Sequence, residues 1–159
     1  MDHAIKSITL TGATGFLGSS ILVRLLKKGC HVNVPGRAKG SMQLRQRILK
    51  IMDWFNAGDL IDSITFFNAD FSKPLLGLAE KDYEKICAGS PPVIHCASDT
   101  SFAERNRDRV MESNVHSLRH ILDLAKNSRA EYFHYISTVF SAGTSNRLVP
   151  ELPVSASGF

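Results

Sequence analysis

The segment TGATGFLG, residues 11–18, decides the fold that this sequence predicts. The short apolar run at residues 5–10 precedes it and has the length and branched side chains of a buried strand. The amphipathic run at residues 16–28 follows it and has the period of a helix packed on a sheet. A glycine pattern at such a junction of strand and helix indicates dinucleotide binding.

Each glycine of the segment is predicted to have its own task. Gly12 turns the chain off the end of the strand, because a residue without Cβ adopts positive φ freely. Gly15 lets the backbone approach a pyrophosphate, and Gly18 lets the helix pack closely on the sheet. The free N–H groups and the dipole of the helix N-terminus favour phosphate there. The spacing Gly-x-x-Gly-x-x-Gly is a variant of the usual pattern, and a glycine-rich turn that binds nothing is the other interpretation.

The composition predicts one ordinary globular domain. The chain has 159 residues, of which 43% are hydrophobic, and no apolar stretch reaches the roughly 18 residues of a membrane span. Its net charge of +4 comes from scattered basic residues, which argues against a nucleic-acid partner. Three cysteines without metal-ligand spacing indicate reduced thiols, and with no signal peptide in the first residues they predict a cytoplasmic protein.

Strand and helix patterns alternate along the chain. The predicted strands are residues 5–10, 31–35, 64–69, 93–96 and 132–136, and the predicted helices are residues 16–28, 41–57, 80–88 and 102–127. This alternation predicts an α/β fold with right-handed crossovers, a doubly wound parallel sheet in strand order 3-2-1-4-5. We expect the domain to span residues 1–140, and residues 141–159 to form a flexible loop or tail.

Periodicity gives finer expectations within the helices. Leu17, Ile21 and Leu25, with Leu22 and Leu26 beside them, are predicted as the stripe of the first helix that faces the sheet. In the second helix, a serine at position 41 is predicted as the N-cap and a glycine at position 58 as the stop. One long helix is expected to bury a stripe formed by Met111, Val115, Leu118, Leu122 and Ala125.

Candidate ligand-binding residues collect at the carboxyl ends of the predicted strands. In a doubly wound sheet, ligands bind outside these ends, where the strand order reverses. Arg37 follows the second strand, where an arginine accommodates the 2′-phosphate of NADP and a carboxylate binds the ribose of NAD. No Asp or Glu occurs between Gly18 and Asp53. The sequence therefore favours NADP(H), although a solvent-exposed arginine in a turn remains the other interpretation.

Further polar residues have two interpretations each. Asp70, after the third strand, could accept a hydrogen bond from an adenine amino group or could cap a turn. His95 could be a catalytic base, but a histidine inside a parallel strand is more often packed and hydrogen-bonded. His116 and His120 are four residues apart, but no third metal ligand is evident, so no metal site is predicted.

The chain resembles the extended short-chain dehydrogenase/reductase superfamily. The segment at residues 11–18, the His-Cys-Ala-Ser segment from His95, Asn114 with the valine after it, and the Ile-Ser-Thr segment at residues 136–138 look like its cofactor and active-site motifs. Its thioester reductase and fatty acyl-CoA reductase branch is the most similar, through Arg37-Ala38 and the stretch at residues 70–78. The likeness runs from about residue 5 to residue 143.

The resemblance implies a Rossmann-type domain that binds NADP(H) as hydride donor for an acyl thioester, carried on coenzyme A or on a carrier protein. It makes Thr138, with Ser137 beside it, the active-site hydroxyl, and it makes Asn114 a structural and relay residue. The cofactor-binding residues that it and the strand ends indicate are Thr11, Gly12, Thr14, Gly15, Phe16, Leu17, Gly18, Arg37, Lys39, Asp70, Phe71, Cys96, Ala97, Ser98 and Asn114.

The chain departs from the family pattern at the catalytic Tyr-x-x-x-Lys pair. No Tyr follows Tyr135, no Lys follows Lys126, and Phe159 lies roughly where the Tyr is expected. We expect the later strands and the substrate-binding subdomain of the family to be missing as well. We therefore expect an N-terminal cofactor-binding part, truncated or degenerate, inactive by itself and able to self-associate. A non-catalytic NADP(H)-binding module and a relative of the sugar-nucleotide epimerases and dehydratases are the alternative hypotheses.

Overall fold

The computed structural model describes residues 7–89 and 91–138, and within them helices connect the strands of one sheet. The strands are β1 (Ser7–Thr11), β2 (His31–Gly36), β3 (Ile64–Asn68), β4 (Val93–His95) and β5 (Phe133–Tyr135). The helices are α1 (Phe16–Lys27), α2 (Leu44–Trp54), α3 (Glu80–Cys87), α4 (Arg107–Met111) and α5 (Ser117–Asn127). Shorter helical turns are 3₁₀ turns at Gly58–Ser63, Pro74–Gly77 and Glu104–Asn106 and a π-helical turn at Glu112–His116.

All these strands are parallel and lie in the order β3-β2-β1-β4-β5. Thr9 of β1 pairs with Asn33 of β2 on one side and with Val93 of β4 on the other. The predicted doubly wound α/β fold is confirmed. Because the strand order reverses between β1 and β4, the carboxyl ends of these two strands lie side by side where ligands bind in such sheets.

Two apolar clusters cover the two faces of the sheet. The first joins α1 and α2 to the sheet through fully buried side chains such as Leu22 and Ile48. The second includes α3 and α5, with Ile121 fully buried. Neighbouring residues of β3, Phe66 and Phe67, belong to different clusters, as the alternation of a strand requires. Each fully buried aliphatic side chain contributes about 1.5–3 kcal/mol to stability.

The buried stripe of α1 is rotated from the predicted one. Leu17 is 46% exposed, and Ile21 and Leu25 are only partly buried. The buried residues of the helix are instead Gly18, Ser19, Leu22, Val23 and Leu26. Gly18 fixes this rotation, because a Cβ at that position would lie 2.2 Å from the carbonyl oxygen of Gly12.

The second helix is shorter than predicted at both ends. Its N-cap is Gln43 rather than the serine at position 41, and the backbone N–H of Gln43 donates to Oε1 of Gln46 at 2.9 Å. The helix ends at Trp54, and Asn56 then adopts a positive φ of 50°. Gly58 therefore begins a 3₁₀ turn and does not stop the helix.

The long helix predicted over residues 102–127 is interrupted. The π-helical turn Glu112–His116 lies between α4 and α5, and such a turn holds one extra residue, which rotates the faces before and after it. Three residues of the predicted stripe, Met111, Val115 and Leu122, are 43%, 51% and 47% exposed. The buried residues of α5 are Ser117, Ile121 and Leu124.

The turn Pro74–Gly77 buries a leucine in the core and has positive φ angles at three residues. Leu75 and Leu76 have φ of 52° and 57°, and Gly77 has φ of 63°, a region that L residues rarely adopt. Leu76 is fully buried, whereas Leu75 is 44% exposed. The backbone N–H of Asp70 donates to the carbonyl oxygen of Leu76 at 2.8 Å, which fastens the turn to the end of β3.

Parts of the sequence-based expectations lie outside the described residues. They are the start of the predicted first strand at residues 5–6, the boundary at residue 140, and the tail at residues 141–159 with Phe159. Among the helices that are described, none has both the length and the apolar character needed to cross a membrane.

Candidate functional site

The glycine turn after β1 lies against the end of β4. Gly12 has a φ of 70°, and a Cβ there would lie 2.5 Å from the backbone nitrogen of Ala97 and 2.6 Å from the carbonyl carbon of Cys96. Gly18 likewise excludes a side chain through its contact with Gly12. These two glycines are therefore required by backbone packing inside the fold.

Gly15 has no comparable packing requirement. Its φ is −85°, and a Cβ would meet only the carbonyl oxygen of Gly12, at 3.3 Å. Gly15 is the N-cap of α1, and no side chain of the described residues caps that end of the helix. Phe16 and Leu17, the next two residues, are 96% and 46% exposed. An open helix N-terminus whose N-cap residue has no side chain fits the phosphates of a dinucleotide.

Thr11 joins the ends of the two central strands from inside. Its hydroxyl is fully buried and accepts backbone N–H groups from Cys96 at 3.2 Å and from Ala97 at 3.3 Å. A third contact of 2.7 Å connects Thr11 Oγ1 to Nδ1 of His95. The predicted cofactor-edge residues Cys96 and Ala97 are thus held through their backbone, and the side chain of Thr11 faces inward.

This geometry assigns the protonation state of His95. A hydroxyl has two lone pairs and one proton, and both lone pairs of Thr11 are used by N–H donors. Thr11 therefore donates its proton to Nδ1, and the neutral ring of His95 carries its own proton on Nε2. Burial lowers the pKa of His95 to about 4, which agrees with a neutral ring. His95 is thus packed and hydrogen-bonded, and its ring also stacks on Tyr135 at 5.7 Å between centroids.

Asn114 anchors the loop that follows β4. Its Nδ2 donates to the carbonyl oxygen of Asp99 at 2.9 Å, and its Oδ1 accepts the N–H of Asp99 at 2.7 Å. Asn114 lies in the π-helical turn, which aims its side chain at this loop. The structure therefore shows Asn114 in a structural role. Its predicted role as a relay residue stays a prediction.

The carboxylate of Asp99 fixes the same loop from its other side. It accepts the backbone N–H of Ser101 at 3.0 Å and pairs with Nε of Arg109 at 2.8 Å. The hydrogen bond from Ser101, followed by Arg109, lowers the pKa of Asp99, and Arg37 adds a smaller electrostatic effect. The loop after β4 and the loop after β2 therefore lie within electrostatic range at one edge of the sheet.

Arg37 follows β2 at this edge, and Arg47 of α2 holds it in place. Arg47 donates to Oγ1 of Thr14 at 2.6 Å and to the carbonyl oxygen of Arg37 at 3.0 Å. It thus connects the glycine turn to the loop in which the exposed side chains of Arg37 and Lys39 lie. Lys39 also closes a tight turn through two backbone hydrogen bonds with Met42.

Asp70 caps a turn at the end of β3. Its Oδ1 accepts from the hydroxyl of Ser72 at 2.7 Å and from the N–H of Ser72 at 3.1 Å. Its Oδ2 lies 3.5 Å from Nζ of Lys73. The hydroxyl of Ser72 is the main cause that lowers the pKa of Asp70. Phe71, next to it, is half-buried, and the contact of both residues with an adenine stays a prediction.

Ser137 and Thr138 follow β5 and are exposed. The strand is extended to them by a hydrogen bond from the N–H of Ile136 to the carbonyl oxygen of His95 at 3.0 Å. Ser98, after β4, is exposed as well. The structure therefore places the predicted hydroxyls and the glycine turn at the same carboxyl edge of the sheet. In residues 7–89 and 91–138, no three His, Cys, Asp or Glu side chains are placed to hold a metal ion.

Sequence reasoning missed three residues of this site. Arg47 lies on a charged helix face where several basic residues have the same pattern, so nothing in the sequence marks it. Asp99 and Arg109 are ten residues apart, and only the loop after β4 brings them together. Asp99 directly follows the His-Cys-Ala-Ser segment, which is the one signal that could have found it.

Comparisons with known proteins agree with this geometry. Residues 10–157 match the NAD_binding_4 family model, described as Male sterility protein. Fatty acyl-CoA reductase 1 of Rattus norvegicus is 34% identical over 151 residues, covering 86% of this chain and 28% of that protein. The terminal R domain from the myxalamid PKS-NRPS biosynthetic pathway superposes with a TM-score of 0.80 at 28% identity, covering 98% of this chain and 40% of that one.

A yeast methylglyoxal/isovaleraldehyde reductase solved with NADPH shares the fold, with a TM-score of 0.64 at 21% identity over 86% of this chain and 38% of that one. The chain spans 28% of the length of the acyl-CoA reductase that it matches. The family model, by contrast, covers nearly all of this chain. The chain therefore belongs to the Male sterility protein family of NAD-binding domains, in the thioester reductase branch of the short-chain dehydrogenase/reductase superfamily.

Proposed function

We propose that this chain is the NADP(H)-binding part of a reductase that transfers hydride from NADPH to an acyl thioester. The observation that carries the proposal is the open N-terminus of α1 at Gly15, placed beside Arg37 and Arg47. The acyl thioester, on coenzyme A or on a carrier protein, is supported by the names of the relatives, an acyl-CoA reductase and a terminal R domain.

The preference for NADP(H) over NAD(H) rests on charge at the end of β2. Arg47 fixes the carbonyl of Arg37, which supports a basic side chain at the strand end where the adenosine ribose would be held in this fold. No carboxylate between Gly18 and Asp53 is available for the ribose hydroxyls of NAD. A planar guanidinium suits a phosphate through paired hydrogen bonds.

NADPH, when bound, supplies the hydride, and the residues of the chain position the reaction. The glycine turn and the N-terminus of α1 would hold the pyrophosphate. Thr138 and Ser137 would donate hydrogen bonds to the thioester carbonyl oxygen as negative charge develops on it. An aliphatic hydroxyl is a poor proton source near neutral pH, and no Tyr follows Tyr135 in this sequence. We therefore infer that the 159-residue chain binds cofactor without turning it over.

The test is a titration of NADPH and NADH into the wild-type chain and the Arg37→Ala variant. We expect NADPH to bind the wild type more tightly, and Arg37→Ala to weaken NADPH alone by about ten- to a hundredfold, the equivalent of roughly 1.5–3 kcal/mol for a charge-assisted hydrogen bond. Arg45→Ala, which removes an exposed arginine of α2, is the matched control and should change neither affinity. Equal affinities in the wild type would refute the NADP assignment.

The same samples test the absence of turnover. NADPH absorbance followed over hours with long- and short-chain acyl-CoA should stay constant, because general acid catalysis typically contributes about 10²–10⁴-fold and no Tyr follows Tyr135 as the expected acid. Robust consumption of NADPH would contradict the inference of a missing acid. No binding of either cofactor would contradict the larger proposal of a phosphate site at Gly15.

A further inference from the structure

The carboxylate of Asp99 lies on the loop after β4, and both of its oxygens are engaged. Oδ1 accepts the backbone N–H of Ser101 at 3.0 Å, and Oδ2 accepts Nε–H of Arg109 at 2.8 Å. The side chain of Asp99 is 21% exposed, whereas that of Arg109 is 63% exposed. The direction of a largely shielded carboxylate is therefore set by an arginine of α4.

The backbones of the loops after β2 and β4 are fixed independently of this ion pair. Asn114 binds both the N–H and the carbonyl oxygen of Asp99. Arg47 binds the carbonyl oxygen of Arg37 and the hydroxyl of Thr14. Because β1 lies between β2 and β4 in the sheet, the two loops flank the glycine turn on its two sides. A change in the ion pair would therefore move side chains and leave the loop backbones in place.

Arg37 is a second arginine whose charge reaches the carboxylate of Asp99. The N–H of Ser101 lowers the pKa of Asp99 most, Arg109 lowers it further, and Arg37 adds a smaller electrostatic effect. Arg37 itself is exposed, and in residues 7–89 and 91–138 no carboxylate lies within ion-pair distance of its guanidinium. Two arginines therefore compete for one carboxylate, and in this structure Arg109 holds it.

A carboxylate and a phosphate are alternative partners of one guanidinium group, because both accept paired hydrogen bonds from its N–H groups. An Asp99 side chain turned toward Arg37 would occupy these N–H groups and cancel the positive charge that attracts a phosphate. NAD(H) carries no phosphate on its adenosine ribose, so its binding would not depend on this charge. The partner that Asp99 takes therefore decides whether the end of β2 distinguishes the two cofactors.

We propose that Arg109 is a positioning residue for cofactor selectivity, because it holds the carboxylate of Asp99 away from Arg37 and leaves Arg37 free for the 2′-phosphate of NADP(H). The proposal rests on the proposed function and adds to it a residue that acts without contacting the cofactor. Arg109 acts through Asp99, and only the cofactor with the extra phosphate responds to its loss.

The experiment measures the affinities of NADPH and NADH for variants of the 159-residue chain by calorimetry. Arg109→Gln should weaken NADPH at least about fivefold and leave NADH within about twofold of the wild type, because the released carboxylate neutralises Arg37. Asp99→Asn combined with Arg109→Gln should restore NADPH to within about twofold of the wild type, because the competing charge is gone. A merely structural ion pair gives the opposite result, since removal of both partners would damage the loop at least as much as removal of one.

Arg107→Gln is the matched control. Arg107 is an exposed arginine of the same helix and pairs with Glu104 at 3.2 Å, so this variant removes the same charge and one ion pair without releasing Asp99. It should bind both cofactors as the wild type does. An equal loss of NADPH in this control, an equal loss of both cofactors in Arg109→Gln, or no rescue by the added Asp99→Asn would overturn the proposal.

An NMR titration of the Asp99 carboxyl carbon without cofactor separates this proposal from the proposed function. In Arg109→Gln the pKa of Asp99 should stay lower than in Arg109→Gln combined with Arg37→Ala, because Arg37 then pairs with the carboxylate. Equal pKa values in these two variants would overturn the role of Arg109, even in a chain that selects NADPH. The expected difference in a chain that does not select NADPH would support the competition between the arginines and overturn the cofactor assignment.

Discussion

At the scale of single residues, His95 connects the ends of the two central strands through Thr11. Its Nδ1 accepts the proton of Thr11 at 2.7 Å, and Thr11 in turn holds the backbone of Cys96 and Ala97. A second proton on His95 would need an acceptor at Nδ1, and both lone pairs of Thr11 are already used. Protonation of His95 must therefore break the connection between the ends of β1 and β4.

This connection predicts a stability that depends on pH. The pKa of His95 is about 4 in the folded chain, down from 6.5, so the unfolded chain binds more protons between these values. The free energy of unfolding should therefore fall as the pH drops from 6.5 toward 4, by up to about 3 kcal/mol from this residue. Urea unfolding at a series of pH values measures the slope. His95→Gln, which can still accept from Thr11, should flatten the slope in this window, and an unchanged slope would contradict the assignment.

At the scale of elements, Gly15 and Gly18 in the turn from β1 into α1 have different roles. A side chain at Gly18 would collide with the carbonyl oxygen of Gly12 at 2.2 Å, and this oxygen belongs to the backbone and cannot swing aside. A side chain at Gly15 would meet the same oxygen only at 3.3 Å and would point into the open space of the helix N-terminus. The first position serves the fold, and the second is free to serve a ligand.

Two alanine variants should separate these tasks. Gly18→Ala should lower the free energy of unfolding by about 1–3 kcal/mol or more, because α1 must shift on the sheet. Gly15→Ala should change stability by no more than about 1 kcal/mol, the usual effect at an N-cap, while weakening NADPH binding at least tenfold. Urea unfolding and NADPH titration on both variants provide the comparison. A Gly15→Ala variant with wild-type affinity would place the phosphates elsewhere.

Sequence patterns predicted the elements better than they predicted the rotation of the helices. The order of the strands follows from alternation and handedness, which are general rules of α/β folds. The rotation of α1 depends on one contact of Gly18, and the face of α5 depends on one extra residue in the π-helical turn; neither changes the local apolar period. In the same way, Arg47 became part of the site only through the distance between α2 and the glycine turn, a tertiary relation that one sequence does not carry.

At the scale of the whole molecule, the described part of the sheet is covered unevenly. Ile94 of β4 pairs with His134 of β5 and faces the cluster built on α1 and α2. Farther out on that face, His134 is exposed and Ile136 is 38% exposed. Val115 and Leu122, on the helices of the other face, are also about half exposed. Apolar side chains are therefore exposed near β5 and α5 on both faces of the described sheet.

This distribution predicts self-association of the 159-residue chain. Apolar patches of this kind usually find partners, and β5 offers an unpaired strand edge in the described sheet. Sedimentation and light scattering at tens of micromolar should detect dimers or larger species. Val115→Gln combined with Leu122→Gln should shift the distribution toward monomer, because both substitutions remove exposed apolar area. A wild-type chain that is monomeric at this concentration would contradict the prediction.

The backbone of the turn Pro74–Gly77 is left-handed at its last three residues. Three successive residues with positive φ, the last being Gly77, form a brief left-handed helix, the mirror image of the conformation that L-amino acids favour. Glycine adopts either hand equally, but in the L residues Leu75 and Leu76 the Cβ atom disfavours a left-handed backbone. A chemically synthesised chain with D-leucine at position 75 would keep this turn and relieve its strain there. The strain therefore arises from the L configuration at the Cα atoms of Leu75 and Leu76. It persists because the side chain of Leu76 is buried in the core.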